Sequence, residues 1–239
     1  MHLPSAYRSR SLRLTLLGSL FLGMGLASQA HAQQKAAPYV GQALDGRPCS
    51  SFQGTTQGYG PYDYRKYRSK DRKLKIVEGH HFTTEVKRLK DGESSETPVG
   101  DLNYTLMAFP NHHRALYAMI QLHTGGAREK WSSFKQFSAR PTPECFLQRA
   151  AAFTPEDADV YLLYGIYLHR LEKPRKAIEK YRKALEIRPK FSEAWYNLGL
   201  AYLDVGKPKE ARKAAHKAYE RGYPLPGLRK KLAEAGYGL

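Results

Sequence analysis

The stretches VYLLYGIYLHRLEKPRKAIEKYRKALEIRP (160–189) and EAWYNLGLAYLDVGKPKEARKAAHKAYERGYP (193–224) are two copies of one pattern. Aligned residues lie 34 positions apart, and both large and small side chains recur. A period of this length predicts one helical hairpin per copy, with small residues where its two helices meet. The aligned pairs are Tyr161 with Trp195, Gly165 with Gly199, Ala177 with Ala211, and Ala184 with Ala218.

The second copy also contains the spaced motif W-x-x-L-G-x-x-Y, formed by Trp195, Leu198, Gly199 and Tyr202. Together with the period, this motif resembles the tetratricopeptide repeat. The resemblance implies an all-α fold, a right-handed superhelix of stacked helical hairpins with a concave groove. The sequence departs from the family pattern at Tyr164, Ala215 and Pro224.

The predicted array extends beyond the two clear repeats, residues 156–224, because two units alone bury too little surface. Residues 225–239 predict a capping helix with Leu225, Leu228 and Leu232 at helical spacing.

Upstream, residues 79–155 fit the same register as degenerate hairpins with an inserted loop near 128–140. There, Phe82, Val86 and Leu89 predict one apolar helical row.

The first 32 residues follow the three-part pattern of a secretory signal peptide. Three arginines precede an apolar run over 14–27, and Ala30 to Ala32 read AHA. We expect cleavage before Gln33 and a periplasmic or secreted protein. The alternative is an uncleaved anchor, but such a run reaches only about 21 Å of a roughly 30 Å hydrocarbon core.

Residues 33–78 are rich in glycine and tyrosine without helical period, which predicts an extended or flexible arm. Leu74, Ile76 and Val77 at its end predict a short strand-like anchor. The two cysteines, Cys49 and Cys145, leave two alternatives open: a disulfide in an oxidising compartment, or a buried thiol at Cys145.

The chain is strongly basic, with a formal net charge of +17. Without the three arginines of the predicted signal peptide, 36 basic and 22 acidic residues remain, so the net charge is +14. This balance favours acidic peptides, anionic lipid or polyanions as partners. Export argues against nucleic acid, and a solvated basic surface is the simpler alternative.

The segment NHHRAL, 111–116, predicts a helix start, with Pro110 ending the preceding helix and Asn111 as N-cap. His112 and His113 then occupy the first turn, and His80 with His81 begin the preceding hairpin. A packing or capping role is favoured, because metal motifs such as H-E-x-x-H are missing. The metal-site candidates kept as an alternative are His80, His81, His112 and His113.

No catalytic or cofactor-binding motif is found in the sequence, which favours a non-catalytic protein without cofactor. The stretches 101–116 and 77–82, DLNYTLMAFPNHHRAL and VEGHHF, also resemble exported bacterial tetratricopeptide proteins. That resemblance implies no activity.

The family resemblance implies that the first helices of the hairpins line the concave groove. Aliphatic, aromatic and basic residues there suit an extended peptide of acidic character. Only Asn197 matches the carboxylate clamp of chaperone-binding relatives, so that specificity is not expected. The candidate contact residues are Lys87, Arg114, Tyr117, Gln121, Ile166, His169, Tyr196, Asn197 and Leu200.

The second helices predict a basic convex side that is solvated or rests on anionic lipid. Its cations are Lys176, Lys180, Lys183, Arg212, Lys213 and Lys217. The sequence thus favours a periplasmic adaptor that binds protein segments. An accessory subunit of an envelope assembly or secretion system would be a special case of such an adaptor. A metal-dependent enzyme or metal-binding protein is the alternative.

Overall fold

A computed structural model describes residues 36–52, 59–67, 71–131 and 141–239. The predicted signal peptide and most of the predicted inserted loop lie outside these ranges. Regular structure in the described residues is helical, with one isolated bridge between Gln42 and Pro48. The all-α prediction is confirmed.

Two short 3₁₀ helices, Cys49–Phe52 and Tyr64–Lys66, precede the α-helices of the described residues. These are α1 Arg72–His81, α2 Thr84–Lys87, α3 Pro98–Ala108, α4 His113–Thr124, α5 Ala127–Trp131, α6 Pro143–Phe153, α7 Ala158–Arg170, α8 Pro174–Ile187, α9 Ser192–Asp204, α10 Pro208–Tyr219 and α11 Gly227–Glu234.

The two clear repeats are the hairpins α7–α8 and α9–α10, and α11 packs on α9 and α10 as a cap. Their second helices, α8 and α10, begin with Pro174 and Pro208 in the first turn, where a missing N–H costs nothing. The connecting turns place Glu172 and Gly206, 34 residues apart, at positive φ of 55° and 72°. The 34-residue period of the sequence is therefore also found in the backbone angles of the turns.

Close packing inside these hairpins depends on the aligned glycines. A Cβ added at Gly165 would lie 2.3 Å from the ring of Tyr181 on α8. A Cβ at Gly199 would lie 2.5 Å from Leu228 of α11 and 3.3 Å from the backbone oxygen of Ala211. Gly165 thus makes room for the partner helix, whereas Gly199 makes room for both the partner and the cap.

The structure corrects the prediction for the region before the repeats. Leu74, Ile76 and Val77 lie in α1, so the strand-like anchor is wrong. Leu74 and Val77 are one helical turn apart and buried, while Ile76 is exposed, which is a helical pattern. The first helix therefore begins at Arg72, ahead of the boundary expected at Gly79.

The apolar row in the first predicted hairpin is buried but is not one helix. Phe82 follows the end of α1, Val86 lies in the four-residue α2, and Leu89 has a positive φ of 57°. His80 and His81 consequently end α1 rather than begin a hairpin.

The described parts of the predicted arm are irregular but packed on the helices. Tyr39 and Cys49 are buried in the same core as Phe146 of α6. A second group of aromatic side chains, which includes Tyr62 and Tyr67, packs on Phe109. No helix in the described ranges has the length and apolar character that a membrane span requires.

Candidate functional site

A groove of about 760 Å³ runs across the first helices of three successive hairpins, α4, α7 and α9. Side chains from these helices form its floor, and Phe82 and Lys87 lie at the α4 end. Tyr223 and Leu225, which follow α10, lie at the other end. Eight of the nine predicted contact residues line it: Lys87, Arg114, Tyr117, Gln121, Ile166, His169, Tyr196 and Asn197.

Leu200 is the predicted residue that does not line the groove. It is half-buried and packs on the core of the repeats. Tyr196 lines the groove but is only 8% exposed. Its hydroxyl oxygen faces the backbone N–H groups of Gly227 and Leu228, so it also holds the start of α11.

Asp159 and Glu193 line the groove and were not predicted. They lie 34 residues apart at the same repeat position, and the register that aligns Pro110 with Pro189 places Arg114 there too. The repeat alignment could therefore have identified both carboxylates. Leu162, Leu163, Arg170 and Tyr181 are further lining residues that were missed.

Three cations reach the groove from α2, α4 and α7. Arg114 lies 3.7 Å from Glu78 and 5.4 Å from the centre of the Phe82 ring. Arg170 donates hydrogen bonds to the Tyr117 hydroxyl at 3.1 Å and to Thr124 Oγ1 at 3.3 Å. The described residues provide no carboxylate partner for Arg170.

The two groove carboxylates differ in their partners. Asp159 is ion-paired with Arg188 at the end of α8. For the Glu193 carboxylate, the described part of the chain provides neither a cation nor a hydrogen-bond donor. Burial, with a smaller contribution from Asp159, raises the pKa of the Glu193 carboxyl. The groove is therefore not uniformly basic, because unpaired groups of both signs face it.

Comparison with known families identifies the helical pattern of residues 173–221, which include α9 of the groove. The family model described as TPR repeat matches residues 173–206, and the model described as tetratricopeptide repeat matches residues 192–221. Residues 173–221 are therefore tetratricopeptide repeats. Such arrays are protein-interaction scaffolds that typically bind protein partners and generally lack catalytic activity.

Two relatives among characterised proteins match less than a third of this chain. The human protein O-mannosyl-transferase TMTC3 is 35% identical over 66 residues, which are 28% of this chain and 7% of that protein. The peroxisomal targeting signal receptor of Candida albicans is 36% identical over 70 residues, 29% of this chain and 12% of that protein. The chain thus matches only a small part of either relative.

Solved structures show the same kind of partial likeness. Pseudomonas aeruginosa PilF has 19% identity and a TM-score of 0.46, with 69% of this chain and 66% of that chain covered. MamA has 28% identity and a TM-score of 0.39, with 52% of this chain and 66% of that chain covered.

His112 lies under the α4 end of the groove as the N-cap of that helix, a position predicted for Asn111. Its Nδ1 accepts the Ala115 N–H at 3.1 Å, so that nitrogen carries no proton. Nε2 therefore bears the hydrogen and donates to Glu78 Oε1 at 3.0 Å. Burial lowers the pKa of His112, although the hydrogen bond to Glu78 opposes this, which agrees with a neutral ring.

Asn111 is instead the centre of a buried polar network. Its Oδ1 accepts the Tyr64 N–H, and its Nδ2 donates to Asp63 at 2.8 Å and to Asp157 at 2.9 Å. His113 Nε2 lies 2.9 Å from Asp157 Oδ2. The network ties the predicted arm to both α4 and the N-cap of α7.

The four candidate metal-binding histidines are not brought together. His81 Nδ1 lies 2.8 Å from Asp101, while His112 and His113 contact different carboxylates, and His80 is exposed at the end of α1. A different group, His113, Asp157 and Asp159, places possible ligand atoms within 4.8 Å of one another.

That group of three already has protein partners. Asn111, His113 and Arg65 lie around Asp157, and Arg188 pairs with Asp159. Ion pairing thus accounts for the clustering of these three side chains.

Cys49 and Cys145 form a disulfide that joins residues 96 positions apart. Both cysteines are fully buried, and the bond fastens the 3₁₀ helix Cys49–Phe52 to α6. Of the two alternatives that the sequence left open, the structure has the disulfide.

The predicted convex cations lie on α8 and α10, outside the groove. Lys183 pairs with Glu186 at 2.9 Å, and Lys180 lies over the ring of Tyr164. The exposed members are Lys176, Lys183, Arg212, Lys213 and Lys217.

Proposed function

We propose that this TPR protein is a non-catalytic adaptor that holds an extended segment of a partner protein in its groove. The observation that carries the proposal is the alignment of α4, α7 and α9, whose side chains line one continuous groove. A groove of about 760 Å³ lies within the size range of ligand-binding clefts, about 300–1,000 Å³.

Acidic residues in the partner segment would meet the cations of the groove. Among the described residues, Arg170 has hydroxyl partners but no carboxylate, and the 55% exposed side chain of Arg114 lies 3.7 Å from Glu78. A carboxylate of the partner segment can therefore pair with either guanidinium without breaking a close ion pair. The excess of positive charge over the whole chain would also speed association with an acidic partner.

We place this adaptor in the bacterial periplasm, or outside the cell, as a subunit of an envelope assembly or secretion system. The N-terminal sequence pattern and the buried disulfide support this location, since disulfides persist in oxidising compartments. The exposed cations of α8 and α10 would then allow peripheral contact with anionic lipid.

Site-specific photocrosslinking in the native cell tests the binding proposal. A benzoylphenylalanine at Tyr117, which is exposed in the groove, should capture a protein. The matched control is the same group at Lys183 on the convex side. Capture of the same protein at both positions, or of none at Tyr117, would contradict the groove proposal.

Charge reversal and fractionation complete the test. Arg114→Glu together with Lys87→Glu should abolish capture at Tyr117 while the thermal unfolding transition remains. Export predicts that the mature protein is recovered from the periplasmic or extracellular fraction and that its N-terminal peptide begins at Gln33. A mature N-terminus at Met1 in the cytosolic fraction would refute export.

A further inference from the structure

Glu193 has features that the fold alone does not explain. It lies in the first turn of α9, and its partly buried side chain lines the groove. A carboxylate in a first turn interacts favourably with the helix dipole. That interaction explains a negative charge at this position but does not explain its burial. An exposed carboxylate would have the same interaction with the helix dipole and would keep its hydration.

The equivalent position in the preceding repeat shows what is missing. Asp159 has Arg188 as its counter-ion. The described residues supply no counter-ion for Glu193, and Asp159 adds repulsion. Burying a charge without a partner costs free energy, so a partner from outside the chain would offset that cost.

Aromatic rings form the surroundings of this carboxylate. The rings of Tyr196 and Tyr223 lie with their centres 4.5 Å apart, and Tyr181 lines the same groove. Burial first and then the nearby Glu193 charge raise the pKa of Tyr223 to about 12, so this hydroxyl stays neutral. Ring faces next to a carboxylate favour a guanidinium or ammonium group.

We infer that Glu193, Tyr196 and Tyr223 form a subsite for a cationic side chain of the bound segment, lysine or arginine. This inference rests on the proposed function and refines it. The partner segment then carries both signs: an acidic residue that faces Arg114 or Arg170, and a basic residue that faces Glu193.

The spacing of the helices gives the separation of these charges. From α4 to α9 there are two helix-to-helix steps of about 8–10 Å each. An extended chain advances about 3.3 Å per residue, so an acidic residue that faces Arg114 lies about five or six positions from the basic residue.

The subsite can be tested without knowing the partner. The Nα-acetylated amides of arginine and lysine are titrated into the ¹⁵N-labelled protein, with the Nα-acetylated citrulline amide as an uncharged analogue of arginine with nearly the same shape. Saturable amide shifts are expected around Glu193, Tyr196 and Gly227 with both cations and not with citrulline amide. The amide that binds with the lower dissociation constant shows whether the subsite prefers arginine or lysine.

Two substitutions decide whether Glu193 is responsible. Glu193→Gln should raise the dissociation constant by up to about fivefold, the change expected for losing one partly shielded ion pair. Glu179→Gln removes an exposed carboxylate of α8 outside the groove and should leave the constant unchanged.

Equal shifts with citrulline amide, no saturable shifts, or equal binding by Glu193→Gln would overturn the subsite. Those results would leave the groove proposal intact if Tyr117 still captures a protein. Conversely, a working subsite without capture at Tyr117 would count against the partner segment and not against the cation site.

Discussion

The residues before and after Asp157 are stabilised in different ways. Every fully buried polar or charged side chain among the described residues lies at or before Asp157. Beyond it, the core is aliphatic and aromatic, with fully buried alanines where helices touch: Ala177, Ala184, Ala211 and Ala218. The repeats thus depend on small apolar residues at a fixed period, and the earlier part depends on individual polar pairings.

The difference shows which kind of packing can be predicted from a repeat sequence. An alanine or glycine at a fixed period contacts a neighbour a few tens of residues away, so the period itself predicts the contact. By contrast, Arg149 donates to the backbone oxygens of Ala37 and Leu106, 112 and 43 residues away. Contacts of that kind leave no periodic trace.

The largest expected effect comes from removing the disulfide. Cys49→Ser with Cys145→Ser should lower the free energy of unfolding by about 2–4 kcal/mol. Hydrogen exchange should show lost protection in 36–52 and α6, with α9 to α11 unchanged. Equal loss of protection in all helices would contradict the contrast, because both parts would then unfold as one unit.

Overpacking the repeat glycines should cost about 1–3 kcal/mol, measured by urea unfolding. Gly165→Leu should cost more than Gly199→Leu, because the added side chain meets the fully buried ring of Tyr181 at 2.3 Å. At Gly199 the nearest group is a leucine of the terminal helix, and the Ala211 backbone oxygen is farther away at 3.3 Å. The control is Gly79→Ala in α1. A Cβ added at Gly79 meets no atom of another element within 4 Å, so this variant should gain up to about 1 kcal/mol of stability. A Gly165→Leu protein as stable as the wild type would refute the helix contact.

Losing the His112 cap should destabilise the earlier part. His112→Gln is expected to cost about 1–2 kcal/mol, since both Glu78 and the Ala115 N–H lose a well-placed partner. Chemical denaturation measures the loss of stability. His216→Gln, which changes an exposed histidine of α10, serves as control. If both variants unfold alike, the buried hydrogen bonds of His112 contribute nothing to stability.

Acid should also act first on the earlier part. Burial raises the pKa of Asp63, but hydrogen bonds from Arg65 and Asn111 outweigh it and lower the pKa from 3.8 to about 2. A lowered carboxyl pKa gives stability that is present above the unfolded value and is lost as pH falls through the folded value. Unfolding curves should therefore show stability falling between pH 3.8 and about 2.

Asp63→Asn isolates this contribution. The variant should lose about 1 kcal/mol at neutral pH, allowing for solvent screening, and should lose less on acidification than the wild type. The contribution of Glu193 to the pH dependence of stability has the opposite sign to that of Asp63. Its pKa is raised, so its ionised form destabilises the fold at higher pH. An acid profile unaltered by Asp63→Asn would show that this network does not set the acid response.

The smallest effect lies in the turns of the two repeats. Glu172→Gly should gain about 0.5 kcal/mol, because glycine adopts positive φ without the strain of a side chain. Gly206→Glu makes the reverse change at the equivalent position and should lose stability. The two melting temperatures should shift in opposite directions, and shifts of the same sign would show that the turns are not equivalent.

The sequence predicted the repeats well because their contacts follow the 34-residue period. Trp195, Gly199 and Tyr202 sufficed to place α9, and the same register identified most of the groove. Asp159 and Glu193 were missed because their position in the repeat is occupied by a cation, Arg114, in the preceding hairpin.

The earlier part was predicted less well for physical reasons. Leu74 and Val77 form only one buried turn, too short a pattern to separate a helix from a strand. The N-cap at His112 was missed because Asn111 is a favoured capping residue by type, yet its amide is used by Asp63 and Asp157. A short pattern explains the first error, and pairings between distant side chains explain the second.

The 96-residue separation of Cys49 and Cys145 also has a kinetic consequence. Contacts between helices adjacent in sequence, such as α7 with α8, form quickly because little chain entropy is lost first. Oxidation of two thiols takes seconds to hours, depending on the oxidant. During biogenesis the repeats can therefore be complete while the segment around Cys49 still awaits its chemical attachment to α6.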